Sequence, residues 1–175
     1  YWTAIFEAWE NTICTEHEYF VAPAIYTPEV MSVLKTNIDK AEKIMKGIKA
    51  KGEKMSRNEQ LYVKRMTFTR YSYDITAGYM SMVRAANTDC DYAKAVPFGE
   101  KALAVRENLT DMSGTFTTYR KYKVEHNGYA WFPGEIRQYR ELIPFVDGTK
   151  GKLIKKLPLE WECHRDKDNK GVEKN

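Results

Sequence analysis

The segment from Ser56 to about Ala86 constrains the fold more than any other part of the chain. Ser56 and Glu59 have capping-box spacing, in which the serine hydroxyl accepts a hydrogen bond from one free backbone N–H and the glutamate reaches back to another. Apolar residues then follow in two stripes: Leu61, Phe68, Ile75 and Met82 at intervals of seven, and Tyr62, Met66, Tyr73, Met80 and Val83 beside them. A helix of about 30 residues that is apolar on two faces is typical of the centre of a bundle.

Two amphipathic segments precede this long helix. Residues 2–13 carry large apolar side chains at steps of three and four, and the helix that they predict is expected to end before Pro23. Thr27-Pro28 suits the cap and first position of a second helix. That helix is rich in lysine and is expected to end at Gly47 or Gly52.

A fourth helix is predicted after a break at residues 87–89. It is expected to begin near Asp91 and to reach Leu109, with Pro97 either kinking it or marking its true first turn. Because the connection to the long helix is short, the two should be antiparallel neighbours. Residues 1–110 are therefore predicted to form a helical bundle.

The character of the chain changes after residue 110. Residues 111–150 are predicted to be rich in loops, with one short helix from Ile136 to Ile143. In residues 151–175, apolar side chains from Leu157 to Cys163 alternate with polar ones, and a period of two predicts a strand. We expect a mainly α fold, a four- to five-helix bundle-like module with a short C-terminal β segment that leads into a β domain outside this chain.

Composition limits the classes of function. The 175 residues are 43% hydrophobic, which allows a packed interior and excludes a disordered tail. A net charge of +4 is mild beside 30% charged residues, so no nucleic-acid partner is predicted. The lysines between positions 35 and 54 are interpreted as a solvated helix face, with a phosphate- or RNA-binding face as the alternative. The sequence contains no run of 18 apolar residues, so no membrane-spanning helix is predicted. The start at Tyr1 suggests a fragment of a longer protein.

No catalytic, metal or cofactor site is predicted. The three cysteines and three histidines are Cys14, Cys90, Cys163, His17, His126 and His164. The cysteines form no CxxC pair and are expected to be free thiols, and the histidines match no zinc-binding spacing. No serine or cysteine has an evident base, and no two carboxylates suggest a glycosidase pair. An independent small enzyme is therefore a weaker interpretation than a structural module or a protein-interaction module.

The segment from Tyr129 to Glu135 is the best candidate for a binding site. Flat aromatic rings stack on the apolar C–H faces of sugars, while neighbouring polar side chains bind the hydroxyl groups. The candidate residues, for a carbohydrate rim or a domain interface, are Tyr129, Trp131, Phe132, Glu135, Arg137 and Gln138. The alternative is that Trp131 and Phe132 fill the core or an interface while glycine and proline permit a turn.

Several motifs resemble a known protein family. They are Gly128-Tyr129-Ala130-Trp131-Phe132-Pro133-Gly134-Glu135-Ile136, Gln138-Tyr139, Asp147-Gly148-Thr149, Leu157-Pro158-Leu159-Glu160-Trp161 and Thr27-Pro28-Glu29-Val30. From about residue 20 to 165, the sequence resembles the helical C-terminal region of large bacterial proteins of unknown function. Those proteins carry a glycoside-hydrolase-like barrel of the α-glucuronidase or hexosaminidase type.

The resemblance implies a non-catalytic accessory module of a carbohydrate-active protein. The family's presumed catalytic carboxylates lie on the barrel, so none is carried over to this chain. It also implies a secreted or periplasmic location, other domains of the same parent chain as partners, and carbohydrate as a candidate ligand. The alternative is a free-standing helical protein-interaction module. An apolar surface on the first helix and the C-terminal segment would favour the accessory module, and one on the Lys-rich second helix a separate partner.

Overall fold

The computed structural model describes residues 1–10, 18–121, 131–152, 154, 155 and 157, without the side chains of 18–21 and 131–133. In these parts of the chain the α-helices are α1 (Trp2–Glu10), α2 (Glu18–Ile25), α3 (Pro28–Lys49), α4 (Arg57–Val83), α5 (Tyr92–Met112) and α6 (Trp131–Val146). A 3₁₀ turn, Gly52–Lys54, precedes α4, and a π-helical turn, Arg84–Thr88, continues its end. The prediction of a mainly helical fold is confirmed.

The predicted starts of α3, α4 and α5 are confirmed by their caps. The Thr27 hydroxyl accepts a hydrogen bond from the Val30 N–H at 3.4 Å at the start of α3. At the start of α4, the Glu59 N–H donates to the Ser56 hydroxyl at 3.3 Å and the Ser56 N–H donates to the Glu59 carboxylate at 2.8 Å. Asp91 caps α5 by accepting from the backbone N–H three residues on. Each cap satisfies donors that the first helical turn leaves unpaired.

Helices α4, α5 and α6 form the central core. Gly78 of α4 lies against Ala102 of α5, and Met82, one turn further along α4, lies against Gly99. The two helices therefore run antiparallel, as predicted. The buried core residues are Tyr79, Met80, Met82, Val83, Ala85, Ala86, Ala95, Val96, Ala102, Leu103, Tyr119, Ile136 and Tyr139.

Helix α6 lies against α5 along the same core. Ile136 contacts Gly99, and the ring of Tyr139 stacks on Tyr92 with centroids 5.5 Å apart. From the first contact to the second, the residue number rises along α6 and falls along α5, so the two helices are antiparallel. An exposed ion pair between Arg140 and Glu100 joins them at the surface.

Helices α1 and α3 form an outer layer on α4 with a smaller core of its own. Leu34 and Ile38 of α3 are buried against Tyr73 of α4, and α1 covers them with Ala4 and Ile5. The indole N–H of Trp9 donates to the Tyr26 hydroxyl at 3.3 Å, which ties α1 to the residue that follows α2.

Two prolines fall inside helices, where the sequence suggested boundaries. Helix α1, Trp2–Glu10, ends before Pro23 as expected. Pro23 itself lies inside α2, a helix that the sequence did not predict, where the Tyr26 N–H donates to the Ala22 carbonyl at 2.8 Å. Pro97 does not mark the first turn of α5, since the Asp91 cap places it at the sixth helical position. A proline removes one backbone hydrogen bond, and both helices nevertheless continue past it.

A helix is present where one was predicted within residues 111–150, but it is longer than expected. Helix α6 begins at Trp131 and ends at Val146, so it is about twice the length expected and includes most of the predicted aromatic loop. Pro133 lies in its first turn, where a backbone N–H has no helical partner to lose. The predicted strand lies outside the described residues except for Leu157, and no strand occurs in the part of the chain that the structure describes. The C-terminal β segment is thus without support.

Candidate functional site

Of the six residues proposed from the sequence, the three whose side chains are described do not form one polar cluster. Tyr129 lies outside the described residues, and Trp131 and Phe132 lie in the first turn of α6 with side chains that are likewise outside them. Arg137 and Gln138 are exposed on the outer side of α6. Glu135 is half-buried, on the side that faces the core.

Helical periodicity explains why these side chains separate. Ile136 and Tyr139 are three residues apart on one face and are both buried. Arg137 and Gln138 lie between them on the opposite face, because residues one or two positions apart point in different directions around a helix. The structure therefore places Glu135 at an interface between helices and the two other polar residues in solvent.

The carboxyl group of Glu135 has an unusual environment. Its Oε2 atom is inaccessible to solvent and has no hydrogen-bond partner. Burial raises the pKa of Glu135 to about 7, because the charged form loses its hydration there. Near neutral pH a large part of this group is therefore protonated, unlike an ordinary glutamate.

Two tyrosines share this environment. The pKa of Tyr139 is raised to about 12, first by burial and then by the nearby charges of Glu135 and Tyr92. The pKa of Tyr79, from α4, is also raised, again first by burial and then by Glu135. Both rings are only 8% exposed. Their faces are consequently closed to a sugar, and the stacking hypothesis depends on Tyr129, Trp131 and Phe132 alone.

A surface groove between α1 and the start of α3 was not predicted. It has a volume of about 390 Å³. Its lining residues are Ala4, Glu7, Ala8, Ala24, Ile25, Thr27, Glu29, Val30 and Val33. Alanines four residues apart on α1 could have indicated a close approach, but the groove forms only where three separate helices meet.

The groove has an apolar floor and an anionic rim. Val33 is 49% exposed at one side, and Ile25 closes the floor. Glu29, in the first turn of α3, has its pKa lowered, first by a hydrogen bond from its own backbone N–H and then by Thr27 and the charge of Arg84. Glu29 therefore stays ionised at the rim, whereas Glu135 does not at its interface.

Other large apolar side chains are exposed at several positions, and three groups of them bear on the predicted docking surfaces. On α1, Phe6 is 63% exposed and Trp2 lies beside it one turn earlier. Near the end of the described chain, Ile154 is 93% exposed and Leu157 is also exposed. On the Lys-rich α3, Ile44 is 72% exposed. Apolar surface of this extent is typical of interaction sites when it is contiguous.

Within the described ranges, no three His, Cys, Asp or Glu side chains converge to hold a metal ion. The described helices are all too short or too polar to cross a lipid bilayer. Cys90 is a free thiol with a backbone φ of 53°, directly before the Asp91 cap of α5.

Comparison with known proteins adds no relative. No protein-family model, curated protein or solved structure matches the chain. The similarity to bacterial proteins with a glycosidase-like barrel therefore remains a prediction from the motifs quoted above. The function has to be argued from the groove, the exposed apolar side chains and the buried carboxyl group.

Proposed function

We propose that the chain is a non-catalytic helical module that docks on another folded domain, with the groove between α1 and α3 as a main contact surface. The observation that carries this proposal is the groove itself, an apolar floor open to solvent with Glu29 at its rim. Burying a large apolar side chain that is otherwise exposed contributes about 1.5–3 kcal/mol. A partner that covers Val33, and with it the neighbouring floor, would gain free energy of this order.

The proposed partner is another domain of the same protein. Exposed apolar residues on α1 and at positions 154 and 157 match the distribution expected for an accessory module, because they lie on the first helix and the C-terminal segment. The resemblance suggests that this domain is a glycoside-hydrolase-like barrel in a secreted or periplasmic protein. Carbohydrate as a ligand rests on that resemblance and on the aromatic segment at the start of α6.

The second candidate is a free-standing protein-interaction module. Ile44 favours it, since it is a large apolar side chain that is 72% exposed on the Lys-rich helix α3. A separate partner would then bind the middle of α3 rather than the groove. Val33 and Ile44 lie on the same helix and thus provide a matched pair for an experiment.

The experiment compares hydrogen exchange in this chain with that in the complete natural gene product that contains it. If the groove is covered by another domain, backbone amides of α1 and the first half of α3 exchange at least about tenfold more slowly in the gene product, because the covered segment opens less often. Val33→Asp should remove this difference, since it places a charge on the apolar surface. Ile44→Asp is the control and should leave it intact.

Each alternative result has a definite meaning. Equal exchange in both proteins, or a gene product no longer than this chain, would contradict docking on a domain of the same protein. Loss of protection from Ile44→Asp instead of Val33→Asp would favour the second candidate. A glycan panel tests the carbohydrate association separately: hydrolysis by the gene product but not by the chain would support it, and no binding or hydrolysis by either would contradict it.

A further inference from the structure

The buried carboxyl of Glu135 lies where α6 meets the rest of the core. It is in the first turns of α6, directly before Ile136, which contacts Gly99 of α5. Its Oε2 atom is enclosed and has no hydrogen-bond partner. An ionised carboxylate needs several donors in such a place, whereas a protonated one loses much less on burial.

The titratable groups around Glu135 come from each helix of the core. Tyr79 faces it from α4, Tyr139 lies one turn further along α6, and Tyr92 of α5 stacks on Tyr139. Among the described residues no Lys, Arg or His affects the pKa of Glu135, and burial is its cause. No described cation therefore compensates a negative charge on the carboxyl group.

We propose that protonation of Glu135 controls how firmly the N-terminal half of α6 is docked on α4 and α5. The protonated carboxyl fits the interface between the tyrosines. The ionised carboxylate must recover water, and it does so when the start of α6 moves away from α4. This inference is independent of the groove and of the proposed docking partner.

The direction of the pH dependence follows from the two states of the group. In the undocked state Glu135 has the ordinary pKa of 4.5, and in the docked state its pKa is about 7. Below 4.5 both states are protonated and docking is strongest. Between 4.5 and 7 the undocked state loses its proton first, so docking weakens as the pH rises. Above 7 both states are ionised and docking stays weak.

The expected size of the effect is set by the same pKa difference. A pKa of about 7 against 4.5 corresponds to at most about 300-fold in the docking equilibrium. Because Glu135 is half-buried rather than enclosed on all sides, we expect at least about tenfold between pH 5 and pH 8. The effect should be local to α6 and absent from the caps of α3 and α4.

Hydrogen exchange followed residue by residue tests this proposal on the unmodified chain. After correction for the intrinsic pH dependence of exchange, amides of α6 should lose at least about tenfold in protection from pH 5 to pH 8. Glu135→Gln, a neutral side chain of the same shape, should keep them protected at both pH values. Glu141→Gln is the matched control, because Glu141 is exposed on the same helix.

Three results would overturn the proposal. They are protection that does not change with pH, a pH dependence that persists in Glu135→Gln, and one that disappears in the Glu141→Gln control. If Glu135→Gln does not fold, the carboxyl carbon of Glu135 can be titrated by NMR in the unmodified chain. A midpoint near 7 coinciding with the change in α6 would support the proposal, and a midpoint near 4.5 would overturn it.

Discussion

The interface between α4 and α5 and that between α3 and α4 are built in different ways. At the first, glycine allows close approach: a methyl group placed on Gly78 would lie 2.6 Å from Cβ of Ala102 and 3.2 Å from the carbonyl oxygen of Phe98. At the second, Leu34 and Ile38 fill the contact, and charged side chains close its edge. Gly47 of α3 has nothing within 4 Å of such a methyl group.

The two interfaces differ in how much apolar surface they bury. The central core buries its apolar surface, whereas the outer layer leaves part of its apolar surface in contact with solvent. The central helices approach so closely that α4 and α5 have no room for a larger residue at Gly78 or Gly99. The outer layer covers α4 but leaves the groove and several large apolar side chains in contact with solvent. Close packing thus fixes the central core, whereas the outer layer retains the surface that we propose for docking.

The largest expected effect is that of Gly78→Ala. Its new methyl group would overlap Ala102 and press on the backbone at Phe98, neither of which is the flexible end of a side chain. The helices must then separate, so we expect a loss of about 2–3 kcal/mol in the free energy of unfolding, measured by urea denaturation. A loss below about 0.5 kcal/mol would show that α4 and α5 are not in close contact.

An intermediate effect is expected from Arg70→Met, which alters the edge of the outer layer. The Arg70 guanidinium lies 3.0 Å from Asp74 and 3.3 Å from Glu42, and it covers the ring of Tyr73 at 5.7 Å. Methionine keeps part of the apolar contact and removes the charge. Because Arg70 is partly exposed, we expect a loss of about 1 kcal/mol at low salt, decreasing as salt is added.

The control for Arg70→Met is Arg140→Met at the edge of the central core. Arg140 forms one exposed ion pair with Glu100 and should contribute no more than about 0.5 kcal/mol. Equal losses in the two variants at low salt would contradict the view that the Arg70 cluster joins α3 to α4. An Arg70 loss that does not decrease with salt would show that its contribution is apolar contact alone.

Local rules predicted the starts of α3, α4 and α5, because the donors freed by a first turn must be capped within three residues. Thr27, Ser56 and Asp91 each supply such a cap, and all three are confirmed. The antiparallel order of α4 and α5 followed from their short connection and is also confirmed. These features depend on neighbours in the sequence, so no knowledge of the tertiary structure was needed.

The missed features depend on contacts between distant segments. Glycine and proline near Trp131 suggested a loop, but Ile136 and Tyr139 pack on α5 and the helix extends back through Pro133. Glu135 was one of the candidate residues for a carbohydrate rim or a domain interface, yet its burial near Tyr79 of α4 is not visible in the sequence. The groove could not be predicted, because its walls come from three helices whose arrangement no local pattern determines.

The smallest effect, and the only gain in stability, is expected from Gly47→Ala. Gly47 lies inside α3 with open space where the new methyl group would be, so nothing has to move. Alanine also loses less backbone freedom than glycine on forming a helix, which should raise the free energy of unfolding by about 0.5–1 kcal/mol. The same urea measurement then gives opposite signs for one chemical change at Gly47 and Gly78. A destabilised Gly47→Ala protein would mean that this part of α3 is covered, and the outer layer would no longer be the open side of the molecule.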